Sequence, residues 1–169
     1  MTRIGLLSDT HSHLDNSILT ALEGCDEIWH AGDLGSIDVL TSLTRHAPIV
    51  RAVYGNIDGA DIRLELPLDA HFVVEGVQTY ITHIGGYPGR YTPRVRKALE
   101  AHRPGLYICG HSHILKVMPD KKRGLLHMNP GACGHHGFHQ VRTVLRFYID
   151  DGKIDGLEVV ELGKRGRSI

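Results

Sequence analysis

Thirteen of the 169 residues are histidine, and imidazole is both the commonest metal ligand and the side chain that titrates nearest neutrality. Several of these histidines stand beside carboxylates or amides in short motifs. The motifs are Asp9-Thr10-His11, Gly32-Asp33, Gly55-Asn56-Ile57-Asp58, Thr82-His83 and Gly110-His111-Ser112-His113. Carboxylate, imidazole and amide together suit borderline divalent ions such as manganese, iron, zinc, cobalt or nickel. All-oxygen sets suit calcium or magnesium, and thiolate clusters suit structural zinc; no two cysteines here stand at ligand spacing. Asp9/His11 and His111/His113 are i, i+2 pairs. They point the same way on an extended strand end, or diverge toward two neighbouring ions in a tight turn, and either geometry serves a two-ion centre. Alone, each motif is weak. An Asp-x-His arises by chance, and Gly32-Asp33 by itself reads as a turn or a helix cap. The five in this order are specific.

Such separated segments meet only if the fold carries them to one place. Each motif follows an apolar, β-rich run, and in open α/β sheets ligands bind beyond the carboxyl ends of the strands. Strands are expected over Arg3–Ser8, Glu27–His30 and Ile49–Tyr54, with helices over Asn16–Gly24 and Ser36–His46 between them. That βαβαβ order implies parallel strands with helices on both faces. Ala70–Val74 and Val77–Thr82 read as a hairpin turning at Glu75-Gly76. A helix follows from Thr92 to His102, with Pro93 in its first turn, then a short strand at Leu106–Cys109. Two more hairpins pair Ile114–Met118 with Leu125–Asn129 and Val141–Asp150 with Lys153–Val160, the latter through Asp151-Gly152. The expected fold class is α/β, with two packed mixed β-sheets flanked by helices. A single domain over residues 1–169 is expected, with a polar, frayed tail over 163–169.

The motif series resembles that of the calcineurin-like metallophosphoesterase superfamily: D-x-H, G-D, G-N-x-D/E, H and G-H-x-H. The Ser8-Asp9-Thr10-His11 opening, the chain length and Asn129-Pro130-Gly131 are most similar to its small YfcE-like phosphodiesterases. The resemblance implies an αββα sandwich holding two divalent ions, manganese first, with iron, nickel, zinc or cobalt as alternatives. It implies that Asp9, His11 and His113 hold one ion, that Asn56, His83 and His111 hold the other, and that Asp33 bridges them. It further implies hydrolysis of small phosphodiesters by in-line attack of a hydroxide shared by the ions, with Asn56 and His83 positioning the phosphate. The same centre would serve a phosphomonoesterase, and a metal-binding interaction scaffold with little turnover is a rival of another class. Two positions depart from the family pattern. Ile57 stands where many members have a histidine that protonates the leaving group, and Ile84 stands where the glycine of H-G is usual.

Composition narrows the partners. Nineteen basic residues balance nineteen acidic ones, so no overall field draws in long nucleic acid. The one dense basic run, Lys121-Lys122-Arg123, reads as a solvated turn. No apolar stretch is long enough for a membrane span, and no secretory leader is visible. Three scattered cysteines suit a reducing cytoplasm. A homodimer is compatible with the size of the chain. For substrate contact, Tyr87 and Arg90 in the glycine-rich loop after His83 could meet an aromatic group and a phosphate. His136 and His139 in the histidine-rich loop after Gly134 could line the site or replace the missing acid. Asp58 reads as a residue that orients a ligand, and His13 as a solvated turn residue.

Overall fold

The computed structural model describes residues 1–166. It contains β1 (Thr2–Leu7), α1 (Asn16–Ala21), β2 (Glu27–His30), α2 (Ile37–His46), β3 (Ile49–Ala52), α3 (Ala60–Glu65), β4 (Asp69–Val74) and β5 (Val77–Thr82). The chain continues through α4 (Pro93–His102), β6 (Leu106–Ile108), β7 (Leu115–Asp120), β8 (Leu125–Pro130), β9 (Val141–Asp150) and β10 (Lys153–Lys164). Two five-stranded sheets form, in the orders β10-β9-β1-β2-β3 and β4-β5-β6-β8-β7. β1, β2 and β3 run parallel and β9 and β10 antiparallel, so the first sheet is mixed, as expected.

Alternation along the strands explains the layers. Ile4, Leu6 and Trp29 point one way and join Ile81, Leu106, Ile108 and Met128 from the second sheet in a core between the sheets. Leu7 and Ile28 point the other way and pack beneath Ile18, Leu22, Val39 and Leu43 of the first two helical segments. The first sheet therefore has helices on one face only. Its other face is covered by the second sheet, which corrects the expectation of helices on both faces. α4 covers the second sheet through Val95 and Leu99, packed with Tyr80 and Tyr107. Trp29 anchors the inner layer, with Phe72 and Phe147 edge-on at 5.0 and 5.8 Å. Its ring N–H donates to Glu27 Oε2 at 2.8 Å, so the largest buried side chain leaves no polar atom unpaired.

Both predicted two-residue turns form. Glu75 and Gly76 have φ of 47° and 83°, and Asp151 and Gly152 have 45° and 77°, the left-handed pairs that match the twist of a hairpin. Lys121, Lys122 and Arg123 do form the turn between β7 and β8, where Arg123 pairs with Asp120 at 3.4 Å. α3 was not expected. It has six residues and no side-chain cap at Gly59, too short for helical periodicity to announce it. Residues 163–165 are ordered, against the expectation of a frayed tail from 163. Gly163 and Lys164 complete β10 against β9, and Arg165 donates to the His139 carbonyl at 2.9 Å; the rest of that expectation, residues 167–169, lies outside the described residues.

Candidate metal centre

The motif loops meet at the carboxyl ends of β1, β2, β3, β5 and β6, and backbone hydrogen bonds zip them together. The loop after β1 lies along the loop after β2, through Asp9 N–H to Gly32 O (3.0 Å), His11 N–H to Asp33 O (3.1 Å) and Ser12 N–H to Leu34 O (2.7 Å). Within the second sheet, Gly110 N–H donates to His83 O at 3.0 Å, and between the sheets His111 N–H donates to Asp9 Oδ2 at 3.1 Å. The motif glycines make room for one another's ligands. A Cβ on Gly55 would strike the Asp33 carboxylate, and one on Gly110 would strike Ser8 Oγ and Asp9 Oδ2. Five of the expected ligands sit on left-handed backbone: Asp9, His11, Asp33, His111 and His113, with φ between 45° and 69°. Side chains with a Cβ rarely adopt that conformation; here it turns each ligand out of the strand line and into the site.

The side chains form two groups. The ligand atoms of Asp9, His11 and His113 lie within 4.8 Å of one another, as do those of Asp33, His83 and His111. Asp33 Oδ2 touches both groups, at 3.5 Å from His11 Nε2 and 3.2 Å from His83 Nε2. The atoms aim at common points rather than at each other. Asp9 Oδ1, His11 Nε2 and His83 Nε2 are buried with no hydrogen-bond partner among the described residues, although His113 Nε2 comes within 3.1 Å of Asp9 Oδ1. Buried polar atoms are ordinarily satisfied, so three orphans in one place fit a bound cation, and the donor set is that of borderline divalent ions.

The surroundings tune these ligands. His83 Nδ1 donates to the Ala31 carbonyl at 2.7 Å, which leaves Nε2 as the atom facing the site. Burial raises the Asp9 carboxyl, but contacts with His11 and His113, charge at His83 and a 2.6 Å bond from Ser8 hold it well below the carboxylate range. Burial likewise opposes ionisation of Asp33, and its contact with His83 and the Ile57 N–H outweigh it. Both carboxylates are thus held ionised. Asp58 accepts from the N–H groups of Leu34 (3.2 Å), Gly35 (2.8 Å) and Gly55 (2.8 Å), pinning the Asp33 and Asn56 loops together. Asn129 plays the same part beneath the last motif, donating to Gly110 O at 3.0 Å and Ser112 Oγ at 3.1 Å.

Asn56 is exposed, and with His83 it lines a cleft of about 570 Å³ beside the centre. The charged residues there are Arg63 and Arg94, and Arg90 is not among its lining. Arg90 belongs to an exposed turn, its N–H bonded to Tyr87 O at 2.8 Å. Proximity in sequence to His83 favoured Arg90, but the chain must traverse that turn before α4 points back to the cleft. Tyr87 lies on the other flank, in a smaller cleft with His111, under Lys116 Nζ at 4.1 Å from the ring centre. His136 stacks on His11 at 4.6 Å and His139 meets His113 edge-on at 5.2 Å, so the histidine-rich loop sides with the Asp9 group. His139 Nε2 donates to Gly134 O at 2.9 Å. The Ile57 side chain is about half exposed and offers no proton, while its N–H bonds Asp33 Oδ1 at 3.1 Å.

A family model for the calcineurin-like phosphoesterase superfamily domain matches residues 2–152, and the chain belongs to that superfamily. It is 32% identical over 136 residues to a probable metallophosphoesterase of Methanothermobacter thermautotrophicus, covering 76% of each chain. It is 30% identical over 149 residues to a phosphodiesterase of Methanocaldococcus jannaschii, covering 78% of this chain and 84% of that one. A single mutant of Vps29 from Entamoeba histolytica has the same fold, with a TM-score of 0.73 at 17% identity over 94% of this chain and 98% of that one.

Proposed function

We propose that the protein is a two-metal phosphodiesterase acting on small esters, with Asp9, His11 and His113 around one ion, Asn56, His83 and His111 around the other, and Asp33 between them. The observation that carries the metal centre is the set of three buried, unpartnered ligand atoms facing one another. When bound, two divalent ions lower the pKa of water and neutralise charge developing on the phosphoryl group. The protein's part is to hold Asp9 and Asp33 ionised, fix His83 through Ala31, and lock the Asn56 loop through Asp58. Diester over monoester is supported by two clefts that flank the centre, one beside His83 and Asn56 and one beside His111. A monoester has a single substituent to house. The relative in Methanocaldococcus jannaschii bears the name phosphodiesterase.

We further infer that manganese is the working ion and that the protein operates in a reducing cytoplasm, where Cys25, Cys109 and Cys133, all free and buried, stay thiols. No helix among the described residues is long and apolar enough to cross a membrane.

The test is hydrolysis of bis(p-nitrophenyl) phosphate by metal-stripped protein with Mn, Ni, Co, Zn or Mg restored one at a time, beside p-nitrophenyl phosphate. The expected result is metal-dependent cleavage of the diester, strongest with Mn and lost in Asp33→Ala and His111→Ala. Turnover of the monoester alone would convert the reading to a phosphomonoesterase; no turnover with any ion would leave a scaffold.

A further inference from the structure

The clefts on the two sides of the centre share a wall, and it is Ile84. This residue lines the cleft of about 570 Å³ that holds Tyr54, Asn56 and Arg63, and also the one of about 150 Å³ that holds Tyr87, His111 and Lys116. The side chain is not core. It is 40% exposed, so packing alone does not account for a β-branched residue directly after His83. The backbone on its far side is fixed. Gly85 sits against the Tyr107 hydroxyl, where a Cβ would collide, and the Gly85 carbonyl accepts from Thr92 N–H at 2.9 Å. His83 is fixed on the near side by its bond to Ala31. Between two held neighbours, Ile84 is a stiff divider, since branching at Cβ restricts its rotamers.

The compartments differ in chemistry as well as size. In the larger one the Tyr54 ring carries the Arg63 guanidinium at 4.6 Å. Arg63 bonds only backbone carbonyls, those of Gly55, Asn56 and Asp58, so its charge has no carboxylate partner among the described residues. Arg94, in contrast, is spent on Asp69 at 2.6 Å. Leu68 and Pro93 supply apolar wall. The volume falls in the range that takes a drug-sized or nucleoside-sized group, whereas the smaller cleft lies well below it.

We propose that Ile84 sorts the two substituents of the phosphodiester, directing a large, flat group into the Tyr54–Arg63 cleft and admitting only a small group beside Tyr87. The substrate class is therefore an unsymmetrical phosphodiester, one arm aryl- or nucleoside-like and the other a short alcohol. This rests on the phosphodiesterase reading and deepens it.

The experiment compares two esters with the same leaving group, methyl p-nitrophenyl phosphate and bis(p-nitrophenyl) phosphate, in the manganese-loaded wild type, Ile84→Gly, Ile84→Ala and Ile84→Trp. The readout is the ratio of kcat/KM for the two esters, which cancels differences in metal loading. Its change between variants cancels the esters' intrinsic reactivity. Removing the divider should raise the ratio of bis-aryl to methyl ester about tenfold, the scale on which a pocket senses a few carbon atoms. The gain should appear mainly in KM, be smaller for Ile84→Ala, and reverse for Ile84→Trp. Metal content equal to wild type shows that the centre is intact. A ratio within about twofold of wild type in all three variants would overturn the sorting role while leaving the phosphodiesterase reading standing. Failure of the wild type to cleave either ester with any ion would overturn that reading first, and the sorting role with it.

Discussion

The ligand atoms of Asp9, His11 and His113 lie within 4.8 Å of one another, and so do those of His13, Asp15 and His135. Each triad is two imidazoles and a carboxylate, so by residue type they are equals. Their surroundings are opposite. In the first, Asp9 Oδ1 and His11 Nε2 are buried without partners. In the second, Asp15 is already occupied. Its Oδ1 caps α1 through the Ile18 N–H at 3.0 Å and accepts from Ser17 at 2.6 Å, and its Oδ2 meets Arg142 at 2.9 Å and His13 at 3.0 Å. His135 Nδ1 accepts from the Gly166 N–H at 3.0 Å. Arg142, buried and bonded to Cys133 O at 2.7 Å, is a resident cation that a metal ion would have to approach at close range, against Coulomb repulsion. Closeness of ligand types is thus shared by a candidate metal site and a cap. What separates them is whether the polar atoms are already satisfied and whether positive charge is already in place.

The hardest test of this contrast is Asp33→Ala. Because Asp33 touches both halves of the centre, hydrolysis should fall by about 10³-fold or more, at or beyond the cost of losing one preorganised electrostatic stabiliser. Metal content by mass spectrometry should drop with it. Retention of both ions and of activity would erase the distinction between the triads. Asp58→Ala removes no ligand but frees the two loops it pins, and metal affinity should weaken about 10- to 100-fold, as for other residues that orient ligands; titration of the stripped protein with Mn measures it. Asp15→Ala should leave metal content and kcat as in wild type. Unfolding in urea should show a loss of about 1 kcal/mol for the cap, and more from leaving Arg142 without its carboxylate. A third equivalent of tightly bound metal in wild type, absent in Asp15→Ala, would reverse the conclusion for that triad.

A change of pH rather than of sequence tests two histidines outside both triads. Burial lowers His30 and His127 to about 4 from 6.5, so both stay neutral in the folded protein while the unfolded chain takes up protons. Their stabilising contribution is complete above pH 6.5 and is lost as pH falls from 6.5 toward 4. The slope is about 1.4 kcal/mol per pH unit for each histidine. Urea midpoints of metal-free protein across that range measure it, and His127→Gln should flatten the curve by its share.

The strands, turns and motif positions were legible because each rests on local rules: a short apolar run such as Ile4–Leu7, turn pairs such as Asp151-Gly152, and glycines placed after strands. The residues that finish the site were not. Arg63 lies on α3, whose six residues and bare Gly59 start carry no helical signature, whereas Arg90 lies in a conspicuous loop and faces solvent. Ile84 was visible as a departure from the H-G pattern. That it parts two clefts depends on Tyr87 and Tyr54 arriving from opposite sides, which no spacing encodes. Nor does spacing separate His11 from His13, two residues apart, since Arg142 arrives from the far end of the chain.

The left-handed backbone at Asp9, His11, Asp33, His111 and His113 has a further consequence. For side chains with a Cβ that conformation costs about 1–2 kcal/mol per residue, less for aspartate, and it persists only where the surroundings enforce it. The strands behind these turns are laddered along their length, whereas the turns are held by single bonds to neighbouring loops and by the side chains converging in front of them. An ion that gathers those ligands also clamps the turns. Without one the turns keep only their cross-loop bonds, such as Asp9 N–H to Gly32 O and His11 N–H to Asp33 O, and the amides of these five residues should exchange with solvent faster than in metal-loaded protein.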